Sequence, residues 1–212
     1  MRRPSQARGA RGIAAFMVDG TRPGFVRDLA AESTVARGID TGGFQLQAYR
    51  AQADELLHPP GHAFKAALSS NNGARIYVAA MCCGMVAECL RVAGDYGGVR
   101  HTFGQPLHEH QGWRWSRADA AIELQAALLL VSDAAARIDA RADAQVAAAQ
   151  AKVLATRMAG RQIAALMHAI GAEGLGEQHP FLRHLAAAQG ATLVDGSIGM
   201  LLERMARDLR PA

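Results

Sequence analysis

The chain has 212 residues, half of them hydrophobic, 20% charged and only 5% aromatic, a balance that excludes a disordered or collagen-like polymer. Its 21 arginines, against two lysines, give a net charge of +4, but the excess sits in Arg2, Arg3, Arg8 and Arg11. With no aromatics interleaved, that start reads as a solvated basic tail over residues 1–12, not as a nucleic-acid-binding arm.

Residues 13–60 are punctuated by Gly and Pro, with strand-like pieces at 13–18 and 44–49 and turns at Asp19-Gly20 and Pro23-Gly24. Two or three such strands cannot bury a face by themselves, so this section needs other material to pack on. After His58-Pro59-Pro60-Gly61 the pattern changes to long helices. Apolar residues recur in steps of three and four through Ile76, Ala79, Cys83, Val86 and Leu90, then through Leu124, Leu128, Val131, Ala135 and Ile138. A third helix carries the same period from Val146 through Val153, Ile163 and Met167 to Ile170.

The polar break at 139–143 predicts a turn between the second and third helices, and the stretch from Gly171 to Pro180 ends the third. A last helix is expected from near Ser197 through Leu201 and Met205, with Asp195 or Ser197 as its N-cap. The expected architecture is therefore mainly α: an antiparallel bundle of about four long helices over 61–212, preceded by a partial β-domain. Clustered Cys82, Cys83 and Cys89 read as small apolar core residues, since an odd set inside one helix is a poor disulfide framework. His58 and His62 flank Pro59-Pro60, and His108 and His110 are two apart, so neither pair predicts a metal site. No run approaches the ~20 uninterrupted apolar residues of a membrane span and no secretory signal is evident, which sets the expected location as cytoplasmic.

Five segments carry the strongest pattern. Arg75-Ile76-Tyr77-Val78-Ala79-Ala80 with Gly84 is followed by Arg100-His101-Thr102-Phe103-Gly104-Gln105-Pro106-Leu107 and Gln111. Further on stand Ala151-Lys152, then Ile170-Gly171-Ala172-Glu173-Gly174-Leu175, then Val194-Asp195-Gly196-Ser197. In order and spacing these resemble the acyl-CoA dehydrogenase family, with its R-x-x-x-A-A-x-x-x-G helix, R-x-T-F-G-x-P-L segment, F-G-G-x-G-F turn and Y-E-G-T motif. Upstream, Ala15-Phe16-Met17-Val18 and Arg22-Pro23-Gly24-Phe25 resemble the end of the family's middle β-domain.

The resemblance implies an FAD enzyme, acting on acyl-CoA or another acyl thioester, in which a carboxylate takes the α-proton while the β-hydrogen leaves as hydride. It puts Arg100 on the FAD pyrophosphate, Thr102 and Phe103 beside the cofactor, and Gln111, His168, Gly171 and Gly174 at its ADP half, across a subunit boundary in a dimer or tetramer. Ser197 stands for the family's Thr near the base, and His168 replaces a Gln. Asp195 stands at the position of the catalytic Glu, one methylene shorter, as in the nitroalkane oxidase branch. Its residue type serves equally as base or as cap of the last helix. The family's N-terminal helical domain and the first half of its β-domain have no counterpart here. Two functions follow: a dehydrogenase component completed by a second polypeptide, or a non-catalytic oligomerisation or partner subunit.

Overall fold

The computed structural model describes residues 9–28 and 42–209, so most of the expected basic tail lies outside the described residues. The chain divides into two compact units, 1–71 and 72–212.

In the first unit, β1 (Ala15–Phe16) pairs antiparallel with β4 (Leu56–His58), and β2 (Phe25–Arg27) with β3 (Phe44–Leu46). Of the strand-like pieces expected at 13–18 and 44–49, the first thus forms only at its centre and the second only in its first half. Gly24 is required where it stands, because its φ is +91° and a Cβ there would lie 2.6 Å from the Gln47 carbonyl. The turn is fixed by Arg22, which pairs with Glu55, while the Tyr49 hydroxyl donates to the same carboxylate at 2.9 Å. Phe25 stacks on Phe44 at 4.9 Å, yet no described residue before Ala63 is buried. Small ladders without a core are marginal in water, which agrees with a section that packs on something else.

The second unit is helical. Its elements are α1 (Ala63–Val99, entering from the first unit), a hairpin of β5 (His101–Thr102) and β6 (Gln105–Pro106), α2 (Gln111–Asp139), α3 (Gln145–Ala169), α4 (Phe181–Ala191) and α5 (Ile198–Asp208). Helix α3 is the centre, buried nearly all round from Ala147 to Met167. Its partner face on α2 is only partly the expected stripe: Leu124, Val131 and Ala135 are half-buried against the core. Ala120, Ala127 and Ala134 are fully buried, while Leu128 and Ile138 are exposed. Alanines one heptad apart let the two axes approach closely, and the larger residues are turned to either side.

Cys82, Cys83 and Cys89 lie in the same core, as expected, and burial pushes the Cys82 and Cys89 thiols up to about 12. By length and composition α1 could also cross a membrane, but its Ile76, Ala79, Val86 and Ala93 are core residues of the bundle. Helix α4, between the expected third and last helices, adds Phe181 and Ala188 to that core.

The ends of the bundle are set by a few contacts. A Cβ on Gly97 would lie 2.4 Å from the Trp113 ring, so the end of α1 rests on the start of α2. The Arg161–Glu123 pair, 2.7 Å, ties α2 to α3. The short connection at 140–144 makes the two helices antiparallel, so the α2 start at Gln111 lies at the C-terminal end of α3. The hairpin and the Gly171–Gly174 turn therefore share one end of the bundle, and the α4–α5 turn lies toward the other.

Candidate active site

Helix α3 carries Lys152 in a run of alanines, and it is 0% exposed. A buried ammonium must be fully hydrogen-bonded or it loses its proton. Lys152 Nζ donates to the Val194 carbonyl and, at 2.5 Å, to that of Gly196. The intervening carbonyl, of Asp195, accepts from Arg75 Nε at 3.0 Å, and the same guanidinium donates to Asn72 Oδ1 at 3.0 Å. Arg75 is 7% exposed. Two buried cations on two helices thus hold three consecutive carbonyls of the α4–α5 turn.

Turning three successive carbonyls inward requires an unusual backbone. Asp195 has φ +52° and Gly196 φ +102°, both in the left-handed region, which Asp tolerates better than most L-residues. The turn closes through Ile198 N–H to the Thr192 carbonyl at 3.1 Å. Burial lowers the pKa of Lys152 and of Arg75, and the Asp195 carboxylate opposes that shift in both. The N-cap of α5 is Ser197, without a side-chain cap bond, so Asp195 is not the cap. The Asp195 carboxylate is half-buried, and its backbone carbonyl is the one held by Arg75. Ser197 stands next to it, also half-buried.

At the other end, Phe103 and Gly104 form the turn of the β5–β6 hairpin with φ +51° and +82°. Phe103 is 99% exposed at its tip. Thr102 beneath it is held by His110, whose Nε2 lies 2.9 Å from Thr102 Oγ1 and 3.1 Å from the Thr102 carbonyl. Gln105 Nε2 lies 3.2 Å from His110 Nδ1, which favours the tautomer with the proton on Nε2. Arg100 leads in, exposed and without a side-chain partner among the described residues. Gln111 opens α2, a helix start without a side-chain cap. His168 is exposed in the last turn of α3. Gly171, at φ +69°, follows the α3 C-cap, and Gly174 packs so that a Cβ would lie 2.6 Å from the Met167 carbonyl.

The expected residues therefore separate into two groups. Arg75 and Arg100 are separated by 25 residues of one helix, about 37 Å at 1.5 Å per residue. Asp195 and Ser197 lie at the Arg75 level, whereas Arg100, Thr102, Phe103, Gln111, His168, Gly171 and Gly174 lie at the far end. Sequence reasoning gave His110 no role and marked Lys152 only as half of the Ala151-Lys152 segment, with no function attached. The signal for Lys152 was present, a lone lysine in an otherwise small, apolar helix face.

Residues 61–210 match the acyl-CoA dehydrogenase C-terminal domain. The chain belongs to the acyl-CoA dehydrogenase family. It is 29% identical over 192 residues to the short-chain specific acyl-CoA dehydrogenase of Megasphaera elsdenii, covering 91% of this chain and 50% of that protein. It is 31% identical over 202 residues to 3-sulfinopropanoyl-CoA desulfinase of Paraburkholderia xenovorans strain LB400, covering 93% and 52%. The solved butyryl-CoA dehydrogenase of Megasphaera elsdenii superposes with a TM-score of 0.93 at 28% identity, over 97% of this chain and 54% of that one. This family member thus spans about half the length of the curated relatives it matches.

Proposed function

We propose that this chain is a component of an FAD-dependent acyl-CoA dehydrogenase that oxidises an acyl thioester between Cα and Cβ, with Asp195 as the base. The observation that carries the reading is the Asp195 turn: a carboxylate at the family's catalytic position, on a backbone whose carbonyls are held by Arg75 and Lys152. FAD, when bound, supplies the oxidising power by accepting the β-hydrogen with its electron pair. The chain's own part is the proton. As the Cα–H bond breaks, its proton passes to the Asp195 carboxylate, and the electron pair left on carbon forms the double bond as the β-hydride departs. Gly196 gives the turn its second left-handed residue, and the two cations fix its direction.

The far end fits a dinucleotide. Arg100 offers a guanidinium fork suited to phosphate oxygens, Phe103 offers a flat exposed ring, and α2 offers uncapped amides at Gln111. About 37 Å of helix separates these groups from Asp195. The two ends therefore serve different sites, each completed by a second copy of the chain or by another polypeptide.

The test is to purify the chain alone and with the product of the neighbouring upstream reading frame, and to scan for flavin absorbance near ~450 nm. Flavin that is bleached by an acyl-CoA supports the reading, and Asp195→Asn should abolish the bleaching while the cofactor stays bound. Protein that is colourless in both preparations refutes it. A second reading, a non-catalytic oligomerisation subunit, has its own observation: Trp115, Ile122 and Leu129, seven residues apart on α2, are exposed by 61%, 67% and 62%. Such a seam suits a neighbouring helix. Light scattering on the colourless chain, with Ile122→Asp as control, separates the two.

A further inference from the structure

We propose that Lys152, together with Arg75, is a positioning residue that sets the aim of the Asp195 carboxylate by gripping the backbone of its turn and not the carboxylate itself. The proposal rests on Asp195 being the base. Its observations are geometric. The Val194 and Gly196 carbonyls converge on one ammonium, and the Asp195 carbonyl is taken by the guanidinium of a different helix. Neither cation hydrogen-bonds the Asp195 side chain.

That division of labour has a chemical reason. A base must approach its proton along one line, and a displacement of about 1 Å is costly. An Asp is shorter than the family's Glu by one methylene and has one fewer torsion with which to correct its reach. The direction of its Cα–Cβ bond then decides where the carboxylate lies, and that direction is fixed by the backbone at φ +52°. A residue so placed is held only if its surroundings over-determine it. Two cations on three carbonyls do so, and they leave the carboxylate oxygens open to accept a proton.

The surrounding charges are consistent with this role. Asp195 is the carboxylate that faces both cations, Arg75 is the other cation facing Lys152, and Cys82 is the remaining titratable neighbour. Cys82 stays protonated, so Lys152 and Arg75 outnumber their one counter-charge. Hydrogen bonds to carbonyl dipoles are the means by which the ammonium remains charged in the core.

The experiment has two arms. In the chain alone, hydrogen exchange read by mass spectrometry should show the Val194 and Ile198 amides exchanging at least tenfold faster in Lys152→Met, with the Cys82–Ala93 segment of α1 unchanged. In the flavin-loaded complex, Lys152→Met should lower kcat about 100-fold with KM within about threefold. Lys152→Ala should regain activity with added propylammonium but not with 1-propanol, which fills the same space without the charge.

Unchanged exchange at the turn overturns the proposal. So does a kcat loss that propanol rescues as well as the amine, because Lys152 would then only fill volume. Should Lys152→Met fail to fold, Arg75→Lys, which keeps the charge but moves the donor from the Asp195 carbonyl, should give the same faster exchange and the same kcat loss. Normal values there overturn the proposal as well. If the wild-type complex reduces no flavin, the assignment of Asp195 as base fails while the exchange arm still reports on the grip.

Discussion

Phe103→Asn should stabilise the isolated chain and weaken its hold on a cofactor or partner. Phe103 occupies the left-handed region at φ +51° with its ring 99% exposed, so folding strains the backbone and buries almost none of the ring. A left-handed conformation costs an ordinary L-residue about 1–2 kcal/mol, and Asn is among the few that tolerate it. The substitution also creates Asn-Gly, the pair most favoured in two-residue hairpin turns. Against that gain stands the edge contact of Phe103 with His110, centroids 6.2 Å apart, worth about 0.5 kcal/mol when so exposed. The net is a gain of about 1 kcal/mol, or a rise of about 2–4 °C in Tm for a domain of this size. Thermal unfolding and urea titration of the isolated chain measure it, and the flavin retained on gel filtration measures the opposing loss. A lower Tm in Phe103→Asn would refute the argument, because the ring would then have been packed and the turn unstrained.

Two further predictions concern the bundle. Gly97→Ala should destabilise by about 1–3 kcal/mol despite the better helix propensity of Ala, since the new Cβ would sit 2.4 Å from the Trp113 ring; pairing it with Trp113→Leu should recover most of the loss. Burial lowers the pKa of His184, aided by Arg183. Above the unfolded value near 6.5 both states are neutral and His184 contributes nothing; as pH falls below it the unfolded chain takes up the proton first, so stability drops until the folded pKa is passed. His184→Gln should flatten the fall of the denaturation midpoint below about pH 6.5, and an unchanged slope would remove His184 as its cause.

Much of the fold was legible because its signals are local. The absence of Gly and Pro between Trp113 and Ala159, the polar break at 139–143 and the Ser197 start of α5 each act within a few residues. Helix α4 was not legible: Phe181 to Ala191 is only three turns, too short for a period to emerge, and Phe181 and Ala188 are fixed by the core of other helices. The face of α2 was legible only in part, for a related reason. Hydrophobicity favours leucines over alanines, but close packing against α3 selects the smallest residues. At the site, Asp195, Arg100 and Phe103 stood out through their motifs. The role of Lys152 did not, because its partners are carbonyls, which every residue carries and no sequence distinguishes.

The backbone adds an argument that does not depend on motifs. Among the described residues of the helical unit, three without a glycine's freedom adopt positive φ: Phe103, Arg141 and Asp195. Arg141 ends α2 in an ordinary tight connection to α3. The other two lie at the two ends of the bundle, one in each group of candidate site residues. Evolution had cheaper choices at both, since Gly or Asn relieves the strain at Phe103 and Gly relieves it at Asp195. Strain kept where local chemistry offers an easy escape marks residues retained for what their side chains do. An aromatic ring displayed to solvent and a carboxylate on a turn whose backbone two buried cations brace are two such side chains. A bundle serving only as an oligomerisation scaffold would need the first at most. The second is the feature on which the proposal of Asp195 as proton acceptor rests.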